Sequence, residues 1–191
     1  MRQKDSKKVE QIFEAALQLL NEEGLSGLKM QKLAQQAGVA AGTLYIYFKD
    51  KEALLHAMNL HYRQWLVAES TRLVAADDAF EERFRKTWFN YLQLLQRKPK
   101  ILIFLEQFQM ESMISTKSAG DEAFESLSPF SQLIAEGQSM GLISQGPPRV
   151  HLALITASAH RWVMWAQQAW LPPTTDFMHL AWELSWKAIR R

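Results

Sequence analysis

Residues 33–55 read LAQQAGVAAGTLYIYFKDKEALL, and the fold of the N-terminal quarter is decided there. With Met30 just upstream, Leu33, Ala34 and Ala37 fall on one face of a short helix, about Lys29 to Ala37. Gly38 can take the left-handed conformation that closes it, and Val39 can plug the turn. A third helix, about Ala41 to Phe48, then starts almost at once with Leu44 and Phe48 turned inward. Two short helices separated by a tight glycine turn make a helix-turn-helix. Asp50 next offers a carboxylate cap to a long helix, in which Leu54, Leu55, Met58, Tyr62 and Trp65 recur at helical spacing to about residue 74.

Upstream, Val9, Ile12, Phe13, Ala16, Leu17 and Leu20 make one face of a helix over Ser6 to Glu23. Asp5 or Ser6 is placed to cap its start and Gly24 to end it. Downstream, Phe80, Phe84, Trp88, Tyr91 and Leu92 mark a helix that stops before Pro99, and a further helix runs from about Ile101 to Ile114. Thr116 to Asp121 reads as a loop, Glu122 to Met140 as a helix broken at Ser128-Pro129, and Gly141 to Pro148 as a second loop. The last two helices, about Arg149 to Trp170 and Thr174 to Arg190, are separated by Leu171-Pro172-Pro173. Period-2 alternation is missing throughout. The expected class is all-α, with about nine helices: a three-helix head over residues 1–50 and a larger helical domain over 51–191.

Charge and composition divide at the same place. Residues 1–51 hold eight Lys and Arg against six Asp and Glu, so the chain's net charge of +2 lies wholly in the head. Only Phe13, Tyr45, Tyr47 and Phe48 of the aromatic residues precede residue 51, and all seven Trp follow it. The chain of 191 residues is long enough for a sizeable core without disulfides or metals. It has no cysteine, which excludes a thiol nucleophile and a thiolate zinc site and fits a reducing cytoplasm. The basic opening MRQKDSKKVEQ is followed by no apolar run, so no signal peptide is expected. Val150 to Trp170 is the most apolar stretch, but His151, His160, Arg161, Gln167 and Gln168 argue against a membrane span.

The run Ala37-Gly38-Val39, Gly42-Thr43-Leu44-Tyr45, Tyr47-Phe48, Lys51-Glu52 and Leu55 resembles the N-terminal signature of TetR-type transcriptional regulators, over about residues 9–60. The resemblance implies an all-α DNA-binding head on a helical domain that dimerises and takes up a small effector. It implies DNA contacts at Gln31, Gly42, Thr43, Tyr45, Tyr47 and Lys51. Two positions depart from the family: Ala40 stands where Ser is usual, and Lys29 where Thr is frequent. The first loses a cap and an anion contact, and the second offers a charge to a phosphate. The chemistry of groove recognition agrees. A helix entering a major groove about 12 Å wide needs small residues at its start and hydrogen-bonding groups along it. Ala40, Ala41 and Gly42 are small, Thr43 suits a base edge, and Tyr45 and Tyr47 suit phosphates or sugars.

In the larger domain, Leu152, Ile155, Trp162 and Val163 on one helix and Phe177, Leu180, Leu184 and Ala188 on the next make apolar faces broad enough to expect a homodimer. A two-fold dimer calls for a palindromic double-stranded operator with half-site centres roughly 34 to 36 Å apart. Trp65, Trp88, Tyr91, Phe104, Phe108, Met113, Trp162 and Trp165, with Met110 and Met164, are candidates to line a pocket for a small hydrophobic effector. Glu106 and Glu111, flanking aromatic rings, leave an organic cation open as the effector. No cofactor or metal is expected. His56 and His61 are five residues apart and His151 and His160 nine, spacings that do not share a helix face, and Glu52 with His56 is at most half a metal site. HExxH, GxSxG and glycine-rich phosphate loops are absent from the sequence. The chain therefore reads as a cytoplasmic, dimeric repressor rather than an enzyme. The alternative is a helical ligand-binding or enzymatic protein whose head no longer binds DNA.

Overall fold

A computed structural model describes residues 6–114, 127–172 and 174–191, with the side chains of Ser112, Met113, Ile114 and Ser128 outside the description. The described residues form nine helices: α1 (Ser6–Gly27), α2 (Met30–Gln36), α3 (Ala41–Tyr47), α4 (Lys51–Thr71), α5 (Phe80–Arg97), α6 (Pro99–Ile114), α7 (Ser128–Ser139), α8 (Pro148–Gln167) and α9 (Thr175–Ile189). Among these residues there is no strand, only an isolated antiparallel bridge between Ile143 and Arg190. The all-α expectation holds. Asp5, the loop expected over 116–121 and the start of the helix expected from Glu122 lie outside the described residues.

The glycines that punctuate the head act as the sequence suggests. Gly24 sits at φ 70 inside α1, ending its regular part and letting the chain turn into Leu25–Gly27. Gly38, at φ 65, closes α2. The backbone amide of Val39 then donates to the Ala34 carbonyl at 3.0 Å, which holds the turn before α3. Asp50 caps α4, its Oδ1 accepting from the Ala53 amide at 2.7 Å.

Packing divides the chain into two compact units, one running to Tyr62 and resuming at Lys100, the other holding Arg63–Pro99 and the C-terminal helices. In the first, Ile12, Phe13, Ala16, Leu19 and Leu20 of α1 bury against Leu33, Leu44, Phe48, Leu54 and Met58. The Phe13 ring meets Phe48 at 5.6 Å and Tyr62 at 6.3 Å between centroids. Helix α6 belongs here: Phe104 is fully buried and meets Tyr62 at 6.0 Å, and Phe108 packs edge-on to His56 at 5.1 Å. Burial lowers the pKa of His61, which lies 5.1 Å from Phe13, and the nearby Glu10 carboxylate partly offsets this.

In the second unit α5 buries Phe80, Phe84, Thr87, Trp88, Tyr91, Leu92 and Leu95 on one stripe. Helix α7 crosses close to it at Gly137, where an added Cβ would lie 2.5 Å from Cζ of Phe80 and 2.7 Å from Cδ1 of Ile143. Arg83 and Glu136 clasp the same two helices with a forked ion pair. Trp182 and Trp186 of α9 stack at 5.6 Å with 9° between their planes, and Phe84 meets Trp186 at 5.4 Å. Buried His151 ties the chain end down: its Nε2 lies 3.0 Å from the Ser144 hydroxyl, which in turn lies 3.0 Å from the Ile189 carbonyl.

Candidate nucleic-acid interface and helical-domain cavity

Leu33, Ala34 and Leu44 anchor α2 and α3 in the core, so the residues between them on the helical wheel must face out. Lys29, Gln31, Ala41, Gly42 and Tyr45 are exposed, while Thr43, Tyr47 and Lys51 are half-buried. The eight residues named from sequence therefore lie in one compact stretch of the surface-bearing segments α2, α3 and the start of α4. Neither short helix is capped by a side chain; Lys29 and Ala40 stand at the two N-caps without such a bond.

Among the described residues nothing around Gly42 requires a glycine. Its φ is not positive, and a Cβ built there meets no atom within 4 Å. A glycine in a helix interior costs roughly 0.5–1 kcal/mol relative to alanine, and at Gly42, in the first turn of α3, a methyl group would meet no neighbour among the described residues. Lys51 shows the opposite pattern. Its ammonium donates to the Leu25 carbonyl, pinning the kinked end of α1 to the start of α4. Lysine has three hydrogens to donate, so a phosphate contact would be added to this bond rather than replace it.

Two exposed residues beside these were not singled out from sequence. Ile46 is 73% exposed and follows Tyr45, itself 50% exposed, on α3. The signal was its place off the Leu44–Phe48 stripe, since an isoleucine there has no core to enter. Lys49 lies 3.9 Å from the capping carboxylate Asp50 with most of its side chain in solvent.

The residues named for a dimer face separate into two groups. Leu152, Ile155 and Val163 are buried within the single chain, so their side chains have no surface to offer a second one. Leu180, Leu184 and Ala188 of α9 are exposed, and Trp162 and Phe177 are half-buried, their rings 6.1 Å apart. On α8 the exposed residues include Val150, Leu154, Ala157, Arg161 and Trp165.

The residues named for a pocket also separate. A small pocket, partly open to solvent and with enclosed space for only about one water molecule, is lined by Phe84, Thr87, Trp88 and Tyr91 of α5, Phe130 and Leu133 of α7, and Ile155 and Thr156 of α8. Trp88 and Tyr91 are in it. Phe104 and Phe108 are core residues of the other unit, and Trp65, Trp162 and Trp165 do not line the cavity. The Met113 side chain lies outside the described residues. Glu106, on α6, belongs to the first unit, and no ionised side chain lines the cavity. Among the described residues no group of three His, Asp or Glu side chains is placed to hold a metal ion, and no helix is long and apolar enough to cross a membrane.

Residues 12–58 match the family described as bacterial regulatory proteins, tetR family, and residues 79–190 match a tetracyclin repressor-like C-terminal domain. An uncharacterised HTH-type transcriptional regulator of Haemophilus influenzae is 39% identical over 109 residues, 57% of this chain and 58% of that protein. The class D tetracycline repressor protein of Escherichia coli is 51% identical over 49 residues, 26% of this chain and 22% of the repressor. The matches to these curated relatives thus span less than two thirds of their length. A solved TetR family protein from Vibrio parahaemolyticus superposes with a TM-score of 0.82 at 29% identity, covering 95% of this chain and 98% of that one. The C-terminal match alone spans more than half of the sequence, and the chain belongs to the TetR family of bacterial regulatory proteins.

Proposed function

We propose that this chain is a dimeric, cytoplasmic repressor that binds a palindromic operator through α3 and is released by a small hydrophobic effector. The head, residues 1–50, carries the DNA contacts and the remainder carries dimerisation and effector uptake. The observation that carries the reading is the outward face of α3, where a glycine with no internal reason to be there stands beside Thr43 and a half-exposed Tyr45. Gly42 lets the start of the helix approach a groove wall, Thr43 meets a base edge, and Tyr45, Tyr47, Lys29, Gln31 and Lys51 hold the backbone. Ile46 adds an apolar contact to a sugar or a thymine methyl.

Dimerisation is supported by the exposed Leu154, Trp165, Leu180, Leu184 and Ala188, a run of apolar side chains on two neighbouring helices of the kind a soluble monomer rarely leaves in water. Two heads on a two-fold axis then match two half-sites. Release requires an effector that favours one arrangement of the heads over another, and the ligand must bind the two states unequally. The uncharged lining of the cavity supports a neutral effector over the organic cation that Glu106 and Glu111 left open. Fluorescence anisotropy with DNA from upstream of the chain's own gene tests the reading: a specific complex is expected, and none at low salt from a folded dimer would sink it.

A further inference from the structure

We infer that Ile46 reads the C5-methyl of one thymine in each half-site of the operator. The inference rests on the proposal that α3 enters the major groove, and it names a base feature that the helix selects there. Ile46 is 73% exposed, more than any other large apolar side chain described in residues 6–50.

Its place on the helix says what it faces. At about 100° per residue, the direction opposite the midpoint of Leu44 and Phe48 falls on Ile46, with Gly42 about 40° and Thr43 about 60° from it. Burial agrees. Leu44 and Phe48 are buried, Thr43 and Tyr47 on the flanks are half-buried, Tyr45 is 50% exposed, and Gly42 and Ile46 stand in solvent. A helix lying in a groove presents its flanks to the two walls and the centre of its outer face to the floor, where the base edges are. Gly42, one turn before Ile46, has no side chain, and a Cβ added there would meet no described atom within 4 Å. The approach to Ile46 from that side is open. The β-branch nearly fixes χ1 of an isoleucine in a helix, so a contact here costs little side-chain freedom.

The chemistry names the partner. Isoleucine offers neither donor nor acceptor, and among the base edges of the major groove only thymine presents an apolar group, its C5-methyl. The chain's net charge of +2 lies within residues 1–51, and Lys29 and Lys49 stand exposed at the two ends of the α2–α3 segment. A polyanion is drawn to such a surface. An apolar protein partner would ask for a contiguous patch, and Tyr45 is the one other large apolar side chain exposed among described residues 6–50.

Anisotropy of the full chain with DNA from upstream of its own gene tests the assignment, with deoxyuridine replacing one thymine at a time, symmetrically in both half-sites. At one thymine position per half-site, removing the methyls is expected to weaken the complex about fifteenfold, about fourfold for each methyl. Ile46→Ala should weaken the unmodified site by a similar factor and bind the uracil and thymine sites alike. With cytosine at that position the native complex should weaken, and 5-methylcytosine should recover about fourfold per half-site over cytosine. Circular dichroism should show Ile46→Ala folded like the native chain, because the side chain it shortens lies in water. A specific complex that no uracil substitution weakens would overturn the assignment and leave DNA binding standing. The same uracil effect in Ile46→Ala would also overturn it and move the methyl contact to another residue, and an Ile46→Ala loss equal on every sequence would move Ile46 to a sugar. No specific complex from a folded dimer would sink the DNA-binding proposal and this inference together.

Discussion

Helices α3 and α8 are both exposed on one side and buried on the other, yet the sequence assigns an outward role clearly to only one of them. On α3 the buried stripe is narrow, Leu44 then Phe48, so every residue off it is a statement about the outside. On α8 the apolar residues go all the way round: Leu152, Ile155 and Val163 point into the chain, and Val150, Leu154 and Trp165 point away from it. Apolar periodicity identifies a face only when the opposite face is polar. A role can therefore be assigned where the surface is chemically distinct, and not where buried and exposed faces draw on the same residue types.

The largest effect expected from this contrast is on DNA. Thr43→Ala removes a contact from both half-sites of a dimer, and at about 1–3 kcal/mol for each good base contact the operator affinity should fall roughly thirtyfold or more. Tyr45→Ala should act in the same direction. Sedimentation and circular dichroism should show an unchanged dimer, and loss of dimerisation in either variant would break the separation between the two regions. On α8 and α9 the substitutions should sort by direction. Leu152→Ala is expected to cost about 2–5 kcal/mol in urea unfolding, as a buried leucine does. Leu184→Glu, at a side chain 56% exposed, should leave the chain folded and shift it to monomer in sedimentation equilibrium.

The head was legible nearly residue by residue because its punctuation is local. Gly24, Gly38 and Asp50 each act within a few residues of where they stand, at φ 70, φ 65 and a 2.7 Å cap. The placement of α6 was not legible. Phe104 and Phe108 look like any aromatic pair on an amphipathic helix, and nothing nearby in sequence says that they pack with Tyr62 and His56 rather than line a pocket. The pocket escaped for the same reason: Phe84 and Phe130 are ordinary core residues and Leu133 an ordinary half-buried leucine until three helices bring them together. The resemblance places Lys51 among the DNA contacts, while its bond to Leu25 depends on the kink at Gly24, a feature of three-dimensional closeness across 26 residues.

Smaller effects sharpen the comparison. Gly42→Ala should raise thermal stability, by about 0.5–1 kcal/mol for a glycine removed from a helix, and at the same time weaken operator binding. A gain in stability with unchanged DNA affinity would remove the argument that this glycine serves a groove wall. The smallest expected effect lies at His61, whose pKa is lowered in the folded chain by burial against Phe13. As the pH falls through the ordinary value of 6.5, the unfolded chain takes up a proton that the folded chain resists, so stability falls with falling pH. His61→Gln should flatten that slope in urea titrations between pH 5 and pH 7, and an unchanged slope would place the effect elsewhere.

The central claim is that α3 reads DNA while the C-terminal helices hold two chains together. It is tested most directly by anisotropy of labelled DNA from upstream of the chain's own gene, titrated with the purified dimer at two salt concentrations. The account predicts a specific complex of two chains per site, weakening with salt by a slope that reflects only a few phosphates per subunit. Binding no tighter than to unrelated DNA, from a protein shown to be a folded dimer, would contradict it.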